Sequence, residues 1–334
     1  MRSRPCSAAR RARRWSTAII WCCCEGASVA LLAITGATGF VGKATLEKAL
    51  ARDNRVRALT RRPQSPVEGL DWVPGNLEDH AALDALVAGA DAVIHIAGVV
   101  NAPDRARFEA GNAIGTAAVI AAMERMGVRR LVHVSSLAAR EPQLSDYGWS
   151  KAEAERRVAP SGLDWTMVRP PAIFGPGDAE LLELFQMASR GLVLLPPSGR
   201  LSVIHVDDLA DLLVLLAGRG GDETSGAIYE ADDAREAGWS HEEFARAIGR
   251  AVGRPRVRTL HLPSPVVRLG ARIDRLLRGD KARLTPDRAA YFCHEDWVAR
   301  AALRPPPALW APAIATEQGL AATAAAYRER GHLR

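Results

Sequence analysis

Cysteine is scarce in most of this 334-residue sequence. Four of the five cysteines lie in the first 24 residues, and Cys293 stands alone in the rest of the chain. This distribution provides neither a disulfide framework nor a spaced metal site, and it is typical of a reducing compartment. We therefore expect a cytoplasmic protein without a bound metal.

The body of the chain also has little net charge. Residues 1–28 hold six arginines and one acidic residue, Glu25, whereas the remaining sequence has 38 basic and 37 acidic residues. The formal net charge of +6 therefore comes almost entirely from the first 28 residues. A nearly neutral body gives no support for nucleic-acid binding.

No apolar run of the sequence is long enough to cross a bilayer, and the one near the start, STAIIWCCC, is short. The Arg-rich, acid-poor beginning loosely resembles an export or targeting signal, but it lacks a convincing small-residue cleavage site. Alternatively, residues 1–28 are a basic leader that is disordered or comes from an upstream start codon, because the fold can begin at Val29. We favour the second interpretation.

The stretch VALLAITGATGFVG, residues 29–42, is the most informative part of the sequence. An apolar run that predicts a strand ends in a glycine turn, and the residues after it predict a helix. Such a turn lets backbone N–H groups approach a pyrophosphate and points the positive end of the helix at it. The predicted phosphate-binding residues are Gly36, Thr38, Gly39, Phe40, Val41 and Gly42.

Short apolar strands then alternate with helices. Strands are predicted at 55–59, 71–74, 91–97 and 130–135, and helices at 79–88 and 105–126. This alternation predicts a parallel sheet with helices on both faces, a doubly wound Rossmann-type α/β fold. Ligands of such sheets bind beyond the carboxyl ends of the strands.

The end of the second predicted strand indicates which cofactor would bind. NAD-preferring sites place a carboxylate there for the ribose hydroxyls, but no acidic residue occurs between Val56 and Gln64. Arg61 and Arg62 occupy this position instead and suit a 2′-phosphate. We therefore favour NADP, with NAD possible, since either arginine could simply be solvated.

Candidate catalytic residues follow the fifth predicted strand. Ser135 and Ser136 close that strand, and Tyr147 and Lys151 are four residues apart, so that a helix places them on one face. A nearby ammonium favours the phenolate, and a serine hydroxyl can bind the same substrate oxygen. Separately, each piece has a common structural explanation: a surface helix pair, or a turn and helix cap. Together they suit hydride exchange with a nicotinamide.

Several further motifs occur in a consistent order. They are TGATGFVG from Thr35, Gly75-Asn76-Leu77, His95 to Gly98, Asn112 with Gly115-Thr116, Val134 to Ser136, Tyr147 with Lys151, VRPPAIFGPGD from Val168, and SVIHVDDLA from Ser202. In this combination the sequence, from about residue 29 to its end, resembles the extended branch of the short-chain dehydrogenase/reductase superfamily, the NAD-dependent epimerase/dehydratase group.

That resemblance implies roles for individual residues. Tyr147 would be the catalytic acid/base, Lys151 its partner and ribose anchor, and Ser136 the donor to the substrate oxygen, with Ser135 as the alternative if the strand ends one residue earlier. Asn112 would support the active-site helix. Further cofactor contacts would come from Asn76, Leu77, Ala97, Gly98, Pro171 and Ile173.

The sequence departs from the family's pattern in two places. Asn76 stands where an aspartate usually accepts from the adenine amine, and its amide oxygen can still accept. The stretch from Ser136 to Tyr147 is also shorter than in many sugar-nucleotide epimerases, which argues against a large nucleotide-sugar substrate.

The resemblance also implies a division of the chain and a function. Residues 29–175 would form the NAD(P)-binding domain, and 176–334 would return to the sheet and form a smaller C-terminal substrate lobe. We expect an oxidoreductase that acts on a small-molecule secondary alcohol or ketone, or oxidises a sugar-like or steroid-like substrate transiently during epimerisation or dehydration. The alternative is a catalytically silent NADP(H)-binding regulatory or assembly protein. Analogy with relatives suggests a homodimer.

Three features of the second half remain. Asp207 and Asp208 precede an apolar helix and predict an N-cap. Arg200 is a candidate partner for an acidic group of a substrate. The arginines of residues 267–278 form either a solvated helix face or a contact for an anionic substrate or a membrane surface.

Overall fold

The structure is a computed structural model that describes residues 30–221, 223–279, 282 and 284–333. The predicted leader at residues 1–28 lies outside the described residues. Within the described residues, no helix combines the length and the apolar composition that a membrane span requires.

The described elements alternate as the sequence predicts in the first half of the chain. The strands are β1 (Leu31–Thr35), β2 (Arg55–Thr60), β3 (Leu70–Pro74), β4 (Ala92–His95), β5 (Arg130–Val134), β6 (Asp164–Val168), β7 (Ala172–Phe174), β8 (Leu192–Leu195), β9 (Arg200–Leu201), β10 (Val203–His205), β11 (Ala227–Tyr229), β12 (Trp239–Ser240), β13 (Arg258–His261) and β14 (Asp296–Trp297). The α-helices are α1 (Phe40–Leu50), α2 (His80–Val87), α3 (Arg105–Phe108), α4 (Gly115–Met126), α5 (Asp146–Val158), α6 (Leu182–Arg190), α7 (Val206–Ala217), α8 (His241–Ala251), α9 (Ser264–Arg278), α10 (Pro286–Phe292) and α11 (Thr316–Glu329).

Seven parallel strands form the central sheet, in the order β3-β2-β1-β4-β5-β6-β11. The chain leaves β1 for β2 on one side and later returns to pair β4 with the other side of β1. The strand order therefore reverses beside β1, which makes the end of that strand the expected ligand site. The predicted Rossmann-type fold is confirmed.

Both faces of the sheet are buried, which explains the continuous apolar runs of its strands. On one face, Leu32 and Ile34 of β1 pack with apolar residues of α7, and α1 packs against α7. On the other face, Ala33 joins a cluster supplied by α2, α4 and α5. Alternate residues of one strand thus anchor two helical layers.

The C-terminal lobe has a core of its own. Phe185 of α6 and Phe244 of α8 pack with Tyr327 of α11, and Phe174 of β7 joins the same cluster. Two elements of the second half return to the body, since β11 completes the central sheet and α7 covers it.

The helix predicted over residues 105–126 is interrupted. Residues Glu109–Ile114 form a π-helical turn between α3 and α4. Such turns are rare and occur frequently at functional sites. The buried side chain of Asn112 lies in this turn, where its amide bonds both backbone groups of Val99. The helical periodicity of the sequence does not predict a tertiary contact of this kind.

The predicted N-cap at Asp207 and Asp208 is wrong. His205 occupies the cap position of α7, and its ring accepts from the N–H of Asp207. Asp208 lies in the first turn and accepts from the backbone N–H groups of Ala313 and Ile314. Its carboxylate therefore anchors a distant segment rather than its own helix.

Candidate active site

The glycine turn after β1 has no room for side chains. Gly36 has a φ of +76°, and a Cβ added there would lie 2.7 Å from the backbone nitrogen of Ala97. A Cβ on Gly42 would lie 2.0 Å from the carbonyl oxygen of Gly36. Both glycines are therefore required by a close backbone approach, and Gly36 also by its positive φ.

This turn also leaves the start of α1 open. Gly39 is the N-cap of α1, and no side chain of the described residues bonds the first N–H groups of the helix. Thr38 and Gly39 are exposed, whereas Phe40 and Val41 are half-buried. Unpaired N–H groups at a helix start, next to a cradle that a Cβ would fill, fit a pyrophosphate.

The other predicted cofactor residues lie near the carboxyl ends of the strands. Arg61 and Arg62 follow β2 with exposed side chains, and the Thr60 hydroxyl bonds the backbone of Arg62. Asn76 follows β3, where its amide oxygen accepts from the N–H of Glu78 at 2.7 Å. One lone pair of that oxygen stays available for an adenine amine. Leu77 lies beside Gly115, where an added Cβ would lie 2.6 Å from the Leu77 Cδ1.

Two more predicted contacts lie close to the glycine turn. The backbone N–H of Ala97 donates to the Thr35 hydroxyl at 3.2 Å, which fixes the chain after β4 against the end of β1. Ile173 of β7 packs with Phe40 and Val206, so the 171–173 segment with Pro171 adjoins the start of α1. The structure thus brings these residues to one end of the sheet.

Tyr147 and Ser136 meet where α5 begins. The Ser136 hydroxyl lies close enough to the Tyr147 phenol to lower its pKa, against the larger effect of burial, and it also accepts from the N–H of Ala138 at 3.2 Å. Gly148 permits this approach, because a Cβ there would lie 2.6 Å from the carbonyl oxygen of Ala138. Burial raises the pKa of the Tyr147 phenol, so that it keeps its proton at neutral pH.

Lys151 lies one turn further along α5 and is buried. Its Nζ donates to the carbonyl oxygen of Val134 at 2.8 Å and would lie 3.6 Å from a Cβ on Gly98. Burial lowers the pKa of this ammonium to about 8. The rings of His95 and His133 lie nearby, and burial together with the Lys151 charge lowers the pKa of both, so that they are neutral. Lys151 is thus the cation next to Gly98.

Asn112 holds the base of the active-site helix. Besides its bonds to Val99, its Nδ2 donates to the Ser150 hydroxyl at 2.8 Å. Ser150 precedes Lys151, and a Cβ on Gly98 would lie 2.9 Å from the Asn112 Oδ1. Asn112 therefore links the loop after β4 to α5.

Ser135 faces away from Tyr147. Its hydroxyl donates to Glu155 at 2.5 Å, and Glu155 forms a two-pronged ion pair with Arg169. Arg169 also approaches the buried Glu230 at 3.7 Å. β5 ends at Val134, one residue earlier than predicted, so that both serines follow the strand, with Ser135 bonded to Glu155 and Ser136 beside Tyr147.

The C-terminal lobe covers Tyr147 with residues that the sequence reading missed. The ring of Tyr291 lies 6.1 Å from that of Tyr147, and Phe108 lies at the same distance. The Arg288 guanidinium lies near Tyr291, where it counteracts the rise that burial causes in the tyrosine pKa, and it pairs with Glu180. The Arg288 Nε is buried and has no hydrogen-bond partner among the described residues. The motif D-R-x-x-Y of α10 has no special composition, so only its position reveals it.

The contacts of Arg200 are with the loop before β12 and with Glu243. Its guanidinium donates to the carbonyl oxygens of Ala237 and Gly238 and lies 3.7 Å from Glu243. These contacts fix the loop before β12. These contacts give Arg200 a structural role, and binding of an acidic substrate group by Arg200 stays a prediction.

A doubly wound parallel sheet with a glycine turn beside its switch point defines a nicotinamide-nucleotide-binding protein, and the adjoining Ser-Tyr-Lys cluster is typical of an oxidoreductase. Comparison with known proteins agrees, since the NAD(P)H-binding family matches residues 36–218. The chain is 38% identical over 278 residues to a ceramide reductase of Caulobacter vibrioides. The aligned region covers 80% of this chain and 86% of that protein.

Two further relatives extend this likeness. A 2-alkyl-3-oxoalkanoate reductase of Stenotrophomonas maltophilia is 30% identical over 323 residues, or 86% of this chain and 96% of that protein. The Bordetella bronchiseptica enzyme WbmH, solved with NAD+, shares the fold with a TM-score of 0.66 at 22% identity, over 90% of this chain and 99% of that one. This chain belongs to the extended branch of the short-chain dehydrogenase/reductase superfamily and is an NAD(P)-dependent oxidoreductase.

Proposed function

We propose that this protein is an NADP-preferring ketoreductase whose substrate is lipid-like. The observation that carries the proposal is the meeting of the Ser136 hydroxyl and the Tyr147 phenol, with the Lys151 ammonium one helical turn away. In the reducing direction, Tyr147 donates its proton to the carbonyl oxygen as that oxygen gains negative charge. Ser136 donates a second hydrogen bond to the same atom, and Lys151 stabilises the phenolate that remains.

The cofactor would lie along the carboxyl edge of the sheet. The glycine turn would hold the pyrophosphate, Arg61 and Arg62 the 2′-phosphate, and Asn76 the adenine. Lys151 would bind the nicotinamide ribose beside Gly98, and the 171–173 segment would flank the nicotinamide. A bound nicotinamide supplies the hydride that the carbonyl carbon receives.

The substrate class is supported by two kinds of observation. The two reductases compared above are named for ceramide and for 2-alkyl-3-oxoalkanoates, which are lipid-like substrates. In this protein the rings of Phe108 and Tyr291 each lie 6.1 Å from that of Tyr147 and provide apolar surface beside it. The unpartnered Arg288 Nε would donate to a second oxygen of the substrate, next to the reacting carbonyl.

The test is oxidation of NADPH with a panel of ketones that runs from short water-soluble ketones to long-chain 3-oxo acids and amides. We expect turnover by the wild type and a loss of about 10²- to 10⁴-fold in kcat for Tyr147→Phe, because the proton donor is removed. Tyr327→Phe is the matched control, since the Tyr327 hydroxyl has no hydrogen-bond partner among the described residues and lies in the lobe core.

Two outcomes would contradict the proposal. Equal activity of the Tyr147→Phe and Tyr327→Phe variants would remove Tyr147 from the reaction. If the wild type binds NADPH but turns over no ketone of the panel, the alternative of a catalytically silent regulatory or assembly protein would replace the reductase.

A further inference from the structure

Helix α9 carries two apolar faces, and only one of them is used by the fold. Val267 and Ala271 face inward and pack with Ala289 of α10. Val266, Leu269, Ile273, Leu276 and Leu277 recur every three or four residues along another face of the helix. Leu276 is 85% exposed and Leu277 is 77% exposed. Exposure of five large apolar side chains on one helix marks an interaction surface.

Arginines border this apolar stripe. Arg268, Arg272 and Arg275 lie on the helix face beside it, and Arg278 ends the helix. The single acidic residue of α9, Asp274, is half-buried; its carboxylate accepts from the N–H of Leu284 at 3.0 Å and pairs with Arg278 at 3.2 Å, which leaves Arg268, Arg272 and Arg275 beside the stripe. The exposed part of the helix is therefore apolar and cationic, although the body of the chain is nearly neutral.

The apolar surface continues along the chain before α9. Leu192 and Leu194 of β8 and Leu260 of β13 are exposed, and Leu194 and Leu260 are neighbours in register. β13 leads into α9 through Leu262 and Pro263, so Leu260 and the helix form successive parts of one segment, and β8 places Leu192 and Leu194 on the strand paired with β13.

Helix α9 also adjoins the entrance to the site. It packs directly on α10, which places Tyr291 beside Tyr147. Near its C-terminal end, Arg275 donates to the carbonyl oxygen of Pro103 at 3.0 Å. Pro103 belongs to the loop that follows Gly98 and Val99, and Val99 is held by Asn112. The helix therefore spans from the lobe to the rim of the catalytic cluster.

We propose that α9 docks this protein on an anionic lipid surface, with the leucine stripe in the acyl boundary and the arginines at the headgroups. Basic amphipathic helices bind membranes in this way, through apolar burial plus attraction to anionic lipids. A lipid substrate would then reach Tyr147 without crossing water, a consequence that rests on the proposed function.

A second copy of the chain fits this surface less well. In a two-fold dimer the same patch meets itself, so that the arginines of both copies would come together. Like charges across an interface are costly, and the one carboxylate of α9, on Asp274, is already paired with Arg278 of the same helix. An anionic bilayer supplies that negative charge instead.

The docking test uses the full chain without cofactor or substrate, so that it is independent of catalysis. Protein is floated with vesicles of phosphatidylcholine alone and of phosphatidylcholine with phosphatidylglycerol. We expect binding to the anionic vesicles, and a loss of about thirtyfold in R268Q/R272Q, from about five- to sixfold for each arginine. L276S/L277S should lose at least as much, because both leucines leave the acyl boundary.

The control variants remove the same kinds of side chain, exposed arginines and an exposed apolar residue, from a part of the protein away from α9. R157Q/R219Q removes two exposed arginines of the Rossmann body, and Val67→Ser removes an exposed apolar side chain there. Both should bind vesicles like the wild type. Equal binding of all variants, or binding that ignores lipid charge, would overturn the proposal, as would loss of a dimer in L276S/L277S without any change in vesicle binding.

The same variants separate docking from catalysis. On a water-soluble ketone, L276S/L277S should keep the wild-type kcat/KM, whereas its rate on a ketone lipid held in anionic vesicles should fall with vesicle binding. A wild type that floats with anionic vesicles but reduces no ketone would retain the docking surface and contradict the proposed reductase.

Discussion

Lys151 is the buried cation of the site, and its environment sets the pH at which it is charged. Removal from water disfavours the ammonium and lowers its pKa to about 8, while the nearby Glu155 acts in the opposite direction. The ammonium is therefore present below about pH 8 and is lost above it. Tyr147 has its pKa raised by burial, so without the ammonium its phenolate becomes harder to form.

We expect kcat/KM for ketone reduction to fall about tenfold for each pH unit above about pH 8, because the protonated Lys151 is required. The measurement is NADPH oxidation with a soluble ketone from about pH 6 to about pH 10. A profile that stays flat over this whole range would contradict the role assigned to Lys151.

Arg61 tests cofactor choice at the scale of one residue. Arg61→Ala should raise the Kd for NADPH about 10- to 100-fold and leave that for NADH unchanged, since a charged hydrogen bond to the 2′-phosphate is lost. Arg52→Ala is the control, because it removes an equally exposed arginine that pairs with Asp211 instead. Equal affinity of the wild type for NADPH and NADH would overturn the preference for NADP.

Helix α5 carries two residues of the candidate site and, one turn later, a buried ion pair that holds the helix to the sheet. Tyr147 and Lys151 face the cofactor edge, and one turn later Glu155 binds both Ser135 and Arg169. Arg169 follows β6, so this pair fixes the helix to the sheet. The same helix carries an exposed pair between Glu153 and Arg156, which offers a direct comparison.

Glu155→Ala should destabilise the fold by about 3 kcal/mol, because Arg169 loses its closest partner while largely buried. Glu153→Ala should cost less than about 1 kcal/mol, since its ion pair is exposed to water. Urea unfolding of both variants measures the two free energies. Equal losses would show that the Glu155 pair contributes no more than a surface pair.

At the scale of the whole molecule, the lobe and the body meet at the start of the active-site helix. Asp287 of α10 accepts from the backbone N–H of Asp146 at 2.5 Å and from that of Tyr147 at 3.4 Å. A lobe residue thus caps a helix of the Rossmann body, and Tyr291 and Arg288 lie next to it over Tyr147. The position of the lobe and the position of the catalytic phenol are therefore coupled.

Asp287→Ala should raise the KM for the keto substrate more than it lowers kcat, because the lobe loses its hold on α5. The lost cap should also destabilise the protein by about 0.5–2 kcal/mol. Asp296→Ala is the control, since that carboxylate caps only Val298 within the lobe. Steady-state kinetics and urea unfolding check both effects, and an unchanged KM in Asp287→Ala would contradict the coupling.

The sequence by itself determined the parts of this protein that depend on neighbours along the chain. The strand, glycine turn and helix of residues 29–50, the order of the motifs, and the i, i+4 pair of Tyr147 and Lys151 are local patterns, so their periodicity and spacing are readable directly. Because parallel strands end at one edge, even the gathering of Arg61, Gly98 and Ser136 followed from this pattern.

Only the tertiary structure decided which groups meet across long separations. It turned Ser136 toward Tyr147 and Ser135 toward Glu155, used Arg200 and Asp208 as structural anchors, and brought Arg288 to Glu180 across 108 positions. It also left the leucines of α9 exposed when the opposite face was buried. No periodicity encodes these outcomes, since each depends on how the lobe packs against the sheet rather than on local preference.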